Sequence, residues 1–155
     1  MADKELFTVA LKKAMNQCSQ REYCIEDMRS KLSLWGISND ESEKILEILI
    51  KENFINETRY ASAFVRDKFK YNKWGKVKIT AHLKTKNISG EVIRLALDNI
   101  DNEQYIKFIG ELINGHRRKI KAKNQYDLKA KLLRYGLSKG FESSLLYEIL
   151  NDLAE

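Results

Sequence analysis

Apolar residues recur at three- and four-residue steps in three stretches of the chain: ILEILI at 45–50, VIRLALDNI at 92–100 and LLYEILNDL at 145–153. That step is the signature of an amphipathic helix. Each stretch follows a segment of the same design, DMRSKLSLWGIS at 27–38, KITAHLKTKNIS at 78–89 and DLKAKLLRYGLS at 127–138. Met28, Ile79 and Leu128 hold the second place, and Leu32, Leu83 and Leu132 follow four residues later. Each segment then ends on Gly or Asn, a branched apolar residue and Ser: Gly36-Ile37-Ser38, Asn87-Ile88-Ser89 and Gly136-Leu137-Ser138. Gly and Asn accept the left-handed backbone just past a helix end, and Ser is a good N-cap for the next helix. The pattern therefore predicts helix, stop and helix, three times.

An opening helix precedes each pair, over 3–17, 57–72 and 102–117. The expected fold is all-α: three tandem three-helix repeats, over 1–56, 57–101 and 102–155, forming an elongated, curved array. The alternation in KVKIT at 76–80 also suits a strand, but the repeat alignment outweighs it. The absence of proline agrees with a helical chain.

The middle opening helix separates two kinds of side chain. At 100° per residue, Arg59, Arg66, Lys70 and Lys73 fall within about 60° of one another. Ala61, Phe64 and Val65 point to the opposite side, with Phe69 at the margin of the apolar face. Lys68 falls on the apolar side and has to snorkel. Cys24, Gly75 and Asn124 occupy the N-cap of the second helix in the three repeats. Trp74 and Ile79 have the spacing of a hydrophobic staple across that cap, a nucleic-acid contact being the other reading of Trp74.

Charge changes the picture further. The net charge is +6, unevenly spread. Residues 1–56 carry 8 basic and 10 acidic side chains, residues 57–101 carry 10 and 5, and residues 102–155 carry 10 and 7. The windows 66–86 and 117–134 each hold eight Lys or Arg against one Asp. A face of that kind suits a polyanion or an acidic protein partner. The candidate contacts are Arg59, Arg66, Lys70, Lys73, Lys76 and Lys78, then Arg117, Arg118, Lys119, Lys121 and Lys123.

The remaining chemistry is sparse. Two cysteines and two distant histidines lack the paired spacing of a metal site, and no phosphate loop or nucleophile elbow appears. The expectation is no cofactor and no catalysis. The N-terminus lacks a signal peptide and no apolar run is long enough to span a membrane, which points to the cytoplasm and free thiols.

From about residue 19 onward the chain resembles the RecX regulators of the bacterial RecA recombinase. The likeness is densest in NETRYASAFVRDKFKYNKWGKVKITAHLKTKNI, where Glu57, Arg59, Tyr60, Ala61, Phe64, Val65, Arg66, Gly75, Lys78, Ile79, Leu83, Lys86 and Ile88 match the family pattern. His82 stands where the family usually has Glu, Asn87 where it has Gly, and Cys24 where it has a Ser cap. The resemblance implies a non-enzymatic modulator of homologous recombination, DNA repair and the SOS response. It would bind RecA filaments on single-stranded DNA and suppress their ATPase, strand exchange and co-protease activities. The partners so implied are RecA and the DNA within the filament, with weak direct DNA binding, no membrane and a monomeric chain. The alternative is a sequence-independent DNA-binding helical protein acting without a recombinase.

Overall fold

The computed structural model describes residues 2–153, so Met1, Ala154 and Glu155, which the expected outer repeats include, lie outside the described residues. Those described form nine helices and no strand: α1 Ala2–Gln20, α2 Ile25–Leu34, α3 Asn39–Lys51, α4 Glu57–Lys70, α5 Lys76–Thr85, α6 Gly90–Leu97, α7 Asn102–Arg117, α8 Gln125–Ser138 and α9 Ser143–Leu153. The fold is an all-α tandem repeat of three-helix units, and KVKIT lies in α5.

The local signals act as their chemistry dictates in the first two repeats. The Cys24 thiol accepts the Asp27 N–H at 3.4 Å, and the Ser38 and Ser89 hydroxyls accept those of Glu41 and Val92 at 3.3 and 3.2 Å. Asn124 caps α8 by accepting from the Asp127 N–H at 2.8 Å. Gly36 and Asn87 take φ of 81° and 58°, and the N–H groups of Ile37 and Ile88 reach back to the carbonyls of Leu32 and Leu83. This is the paired-carbonyl helix end that a left-handed residue permits.

The third repeat departs from the expectation. Helix α8 runs through Gly136 to Ser138, and the left-handed residue is Gly140, with φ of 88°. The Phe141 N–H bonds to the Gly136 carbonyl, so the same terminating motif has moved four residues along the chain. Gly136 serves a different need: a Cβ there would stand 2.5 Å from Leu146 Cδ2. Its missing side chain makes room for Leu146, and the helix continues one turn. Ser138 is consequently no cap; its hydroxyl donates to the Tyr135 carbonyl.

The chain forms two compact units, one of Met1–Phe64 with Leu83–Ile93, the other of Val65–His82 with Arg94–Glu155. In the first, Ala14, Met28, Leu32, Ile45 and Leu49 are fully buried, with Tyr23, Ile37 and Ile55 beside them. In the second, Tyr105, Ile109, Ile113, Leu132, Phe141, Leu146 and Leu150 form the core. Burying an aliphatic side chain of this size is worth about 1.5–3 kcal/mol. Phe69 packs against this second core, its ring 4.4 Å from that of Phe108 and 5.9 Å from that of Tyr105. It belongs to the fold, as its helical position predicts.

Candidate interaction surface

The second unit holds ten of the eleven candidate cations; Arg59 alone lies in the first. The connection from α4 to α5 is fixed mainly by backbone. The Gly75 N–H donates to the Lys139 carbonyl at 2.7 Å, and the Val77 N–H to the Gly140 carbonyl at 2.9 Å. Between them, the Lys76 N–H donates to the Tyr105 hydroxyl at 3.0 Å, and that hydroxyl donates in turn to Glu142. The first three N–H groups at the start of α5, which need partners outside their own helix, thus meet the carbonyls that end α8 and one buried phenol. Burial, joined by the hydrogen bond to Glu142, pushes the Tyr105 phenol well above its ordinary pKa.

Along this connection and the helices that flank it, the cations have different surroundings. Arg66 is exposed, its Nε 3.5 Å from Asp67. Lys70 is exposed, with its ammonium 5.4 Å from the centre of the Tyr71 ring. Lys73 lies beyond the end of α4, with φ of 61°, so it does not continue the helical face of Arg66 and Lys70. Its ammonium donates to the Lys70 carbonyl at 2.9 Å and stands 5.5 Å over Phe108. The ammonium groups of Lys76 and Lys78 lie 4.6 Å from the Tyr105 and Trp74 rings respectively.

Trp74 meets a partner that its spacing does not suggest. Its ring lies 4.5 Å from that of His82, tilted by 51°, and Lys68 also stands over it at 4.9 Å. The predicted snorkel of Lys68 therefore runs along the indole. The sequence marks Lys68 and His82 separately but not their meeting at Trp74, because the contact joins the end of one helix to the second turn of the next.

The second cluster occupies the α7–α8 connection. Arg117 is the last residue of α7, and Arg118, Lys119, Lys121 and Lys123 are exposed. Two backbone features order this loop: the Lys123 N–H donates to Asp127 at 3.0 Å, and Lys131 donates to the Lys121 carbonyl at 2.6 Å. The Lys123 N–H and the neighbouring Lys131 hold the Asp127 carboxyl below the usual carboxylate range.

Arg59 has another job. Its Nε bonds to Glu22 at 2.7 Å, and its second nitrogen reaches the carbonyls of Asn53 and Phe54 at 3.1 and 3.2 Å. Nearby, the Glu57 carboxylate accepts the Ile25 N–H at 3.1 Å, and Lys86 pairs with Asp27 at 2.7 Å. These side chains fasten the first unit together. Among the described residues, no group of His, Cys, Asp and Glu is arranged to hold a metal ion, and no helix is long and apolar enough to cross a membrane.

Comparison with known proteins finds similar chains. Residues 56–97 match the model of the RecX second three-helix domain. Regulatory protein RecX of Clostridium acetobutylicum is 31% identical over 133 residues, which is 83% of this chain and 61% of that relative. The namesake from Clostridium beijerinckii is 28% identical over 152 residues, 97% of this chain and 70% of that one. Over most of its length the chain is similar to RecX proteins. It spans only half of the Lactobacillus johnsonii RecX that it matches at 26% identity. Two RecX crystal structures share the fold. One superposes with a TM-score of 0.87 at 24% identity, covering 97% of this chain and 75% of the other. RecX from Lactobacillus salivarius gives 0.83 at 21%, covering 97% and 98%.

Proposed function

We propose that this chain is a regulator of the RecA recombinase that binds the RecA–DNA filament and lowers its ATPase, strand exchange and co-protease activities. Relatives named regulatory protein RecX, aligned with most of the chain, support the regulatory part. The observation that carries the filament as target is the concentration of ten candidate cations in one compact unit, on or beside two connections held by hydrogen bonds. Lysines and arginines on helix ends and the loops between them supply charge that meets phosphate without reading sequence.

In this reading Arg66, Lys70, Lys73, Lys76 and Lys78 form one contact zone and Arg117, Arg118, Lys119, Lys121 and Lys123 the other, while Arg59 supports the fold of the first unit. The chain acts as a monomer in the cytoplasm, without cofactor or catalytic step. Direct DNA binding is weak and falls steeply with salt, as phosphate contacts do. The test is to add the purified chain to RecA filaments on single-stranded DNA and follow ATP hydrolysis. The expected result is inhibition that saturates with increasing chain. No inhibition at any ratio would sink the proposal, and tight binding to one duplex sequence without a recombinase would replace it with a plain DNA-binding function.

A further inference from the structure

We propose that Lys68 and Lys78, held over the Trp74 indole, form a contact site for the phosphodiester backbone of single-stranded DNA. Their ammonium groups lie 4.9 and 4.6 Å from the centre of the indole. The main chain beside the ring is held, and the ring has a packing partner. The Trp74 N–H donates to the Lys68 carbonyl at 3.0 Å, the next residue is bonded to the Lys139 carbonyl at 2.7 Å, and the His82 ring packs on the indole at 4.5 Å. Lys78 and His82 are four residues apart on α5 and so share a face. Two long, rotamer-rich side chains from separate helices are thereby gathered at one preorganised place.

Two considerations select the ligand. First, the chain contains no carboxylate side chain between Asp67 and Glu91, whereas it contains seven lysines there. The local field is positive, and two ammonium groups beside one ring repel each other. Neighbouring phosphates of one strand, one at each ammonium, remove that repulsion. Second, the ammonium groups already lie over the indole. A base stacking on the ring must displace them, whereas a phosphate meets them as they stand. The site therefore takes phosphate, not bases, and reads no sequence. All four side chains belong to the second unit; that the DNA is the strand within a recombinase filament rests on the function proposed above.

The test uses the full chain with Trp35→Phe, which leaves Trp74 as its sole tryptophan, and oligothymidine as the probe. Binding should change the Trp74 emission. Replacing both lysines by methionine keeps their stems over the ring and removes both charges. It should weaken binding about tenfold at low salt and flatten the slope of log affinity against log salt by about 1.4, at about 0.7 for each phosphate no longer neutralised. Lys68→Arg with Lys78→Arg should keep the slope, as should the methionine pair at Lys44 and Lys51 of the first unit. Circular dichroism melts monitor folding; if the Lys68/Lys78 methionine pair unfolds, Lys78→Gln alone should still lower the slope by about 0.7. An unchanged slope in folded variants overturns the site. So does poly-glutamate producing the emission change while oligothymidine does not, since the surface would then serve an acidic protein. Loss of slope combined with undisturbed RecA ATPase would remove the recombinase reading and leave the site standing. Normal ATPase inhibition with an unchanged slope would do the reverse.

Discussion

Gly75 and Gly140 meet backbone to backbone: a Cβ at Gly75 would stand 2.3 Å from the Gly140 oxygen, and one at Gly140 would stand 2.2 Å from Lys78 Cβ. Both glycines are required by this approach, and Gly140 also by its φ of 88°. Gly75→Ala should therefore lower stability by about 2–3 kcal/mol, in the range of overpacking a tight site. Gly110, inside α7 with nothing near its absent Cβ, provides the contrast. Gly110→Ala should raise stability by about 0.5–1 kcal/mol, through better helix propensity. Urea unfolding followed by circular dichroism compares the two; similar midpoints for both variants would mean that the close approach is not maintained in solution.

The same approach of two backbones marks the limit of what the sequence reveals. Local rules locate the helices, the Cys24 and Asn124 caps and the turns at Gly36 and Asn87, because each depends on residues within one helical turn. Gly136 misleads, since glycine serves both a left-handed turn and a close side-chain contact, and only Leu146, ten residues on, distinguishes them. The candidate surface is legible as charge but not as geometry. Arg59 shares a helical direction with Arg66, yet Glu22, 37 residues earlier, engages it. Lys68 looks like a misplaced cation until Trp74 and Lys78 stand beside it.

Arg59→Ala should destabilise the chain by about 2–3 kcal/mol, because it strands the half-buried Glu22 carboxylate and two carbonyls together. One oxygen of Glu22 is already buried without a hydrogen-bond partner, so little else can compensate. Arg59→Lys should recover only part of the loss, since an ammonium cannot present the same fork. Removing Glu22 as well, as Glu22→Gln with Arg59→Ala, should cost less than the sum of the single changes. Additive costs in this double-mutant cycle would show that the pair is not coupled.

Stability should also fall in alkali. Burial pushes the Cys24 thiol from 9.0 up to about 11. Below pH 9 the thiol is neutral in both folded and unfolded chains, and its contribution is fully present. As pH rises from 9 to 11 the unfolded chain ionises first, and stability drops by about 2 kcal/mol. Tyr60, also raised by burial, adds to the loss at higher pH. Cys24→Ser keeps the cap and should flatten the decline over pH 9–11, because the hydroxyl does not titrate there. Thermal melts across that range check this; equal pH slopes for the parent and Cys24→Ser would remove the thiol as a cause.

Lys73 allows stability and binding to move in opposite directions. It holds φ of 61°, where the other positive-φ residues described are Asn and Gly. A left-handed L-residue costs roughly 1–2 kcal/mol. Its ammonium returns part of that by bonding the Lys70 carbonyl and standing over Phe108, but both contacts are at an exposed side chain. Lys73→Gly should thus unfold at the same urea concentration as the parent or a higher one. If the α4–α5 connection meets the filament, the same variant should need several times more protein to halve RecA ATPase. Lys70→Glu with Lys73→Glu should weaken it further, with a melt lowered by about 1 kcal/mol at most per charge placed at the end of α4. A Lys73→Gly chain that is destabilised would make the lysine structural. A chain as stable as the parent with undiminished inhibition would exclude this lysine from the contact, and the same result for the double glutamate variant would leave Arg117, Arg118, Lys119, Lys121 and Lys123 as the principal surface.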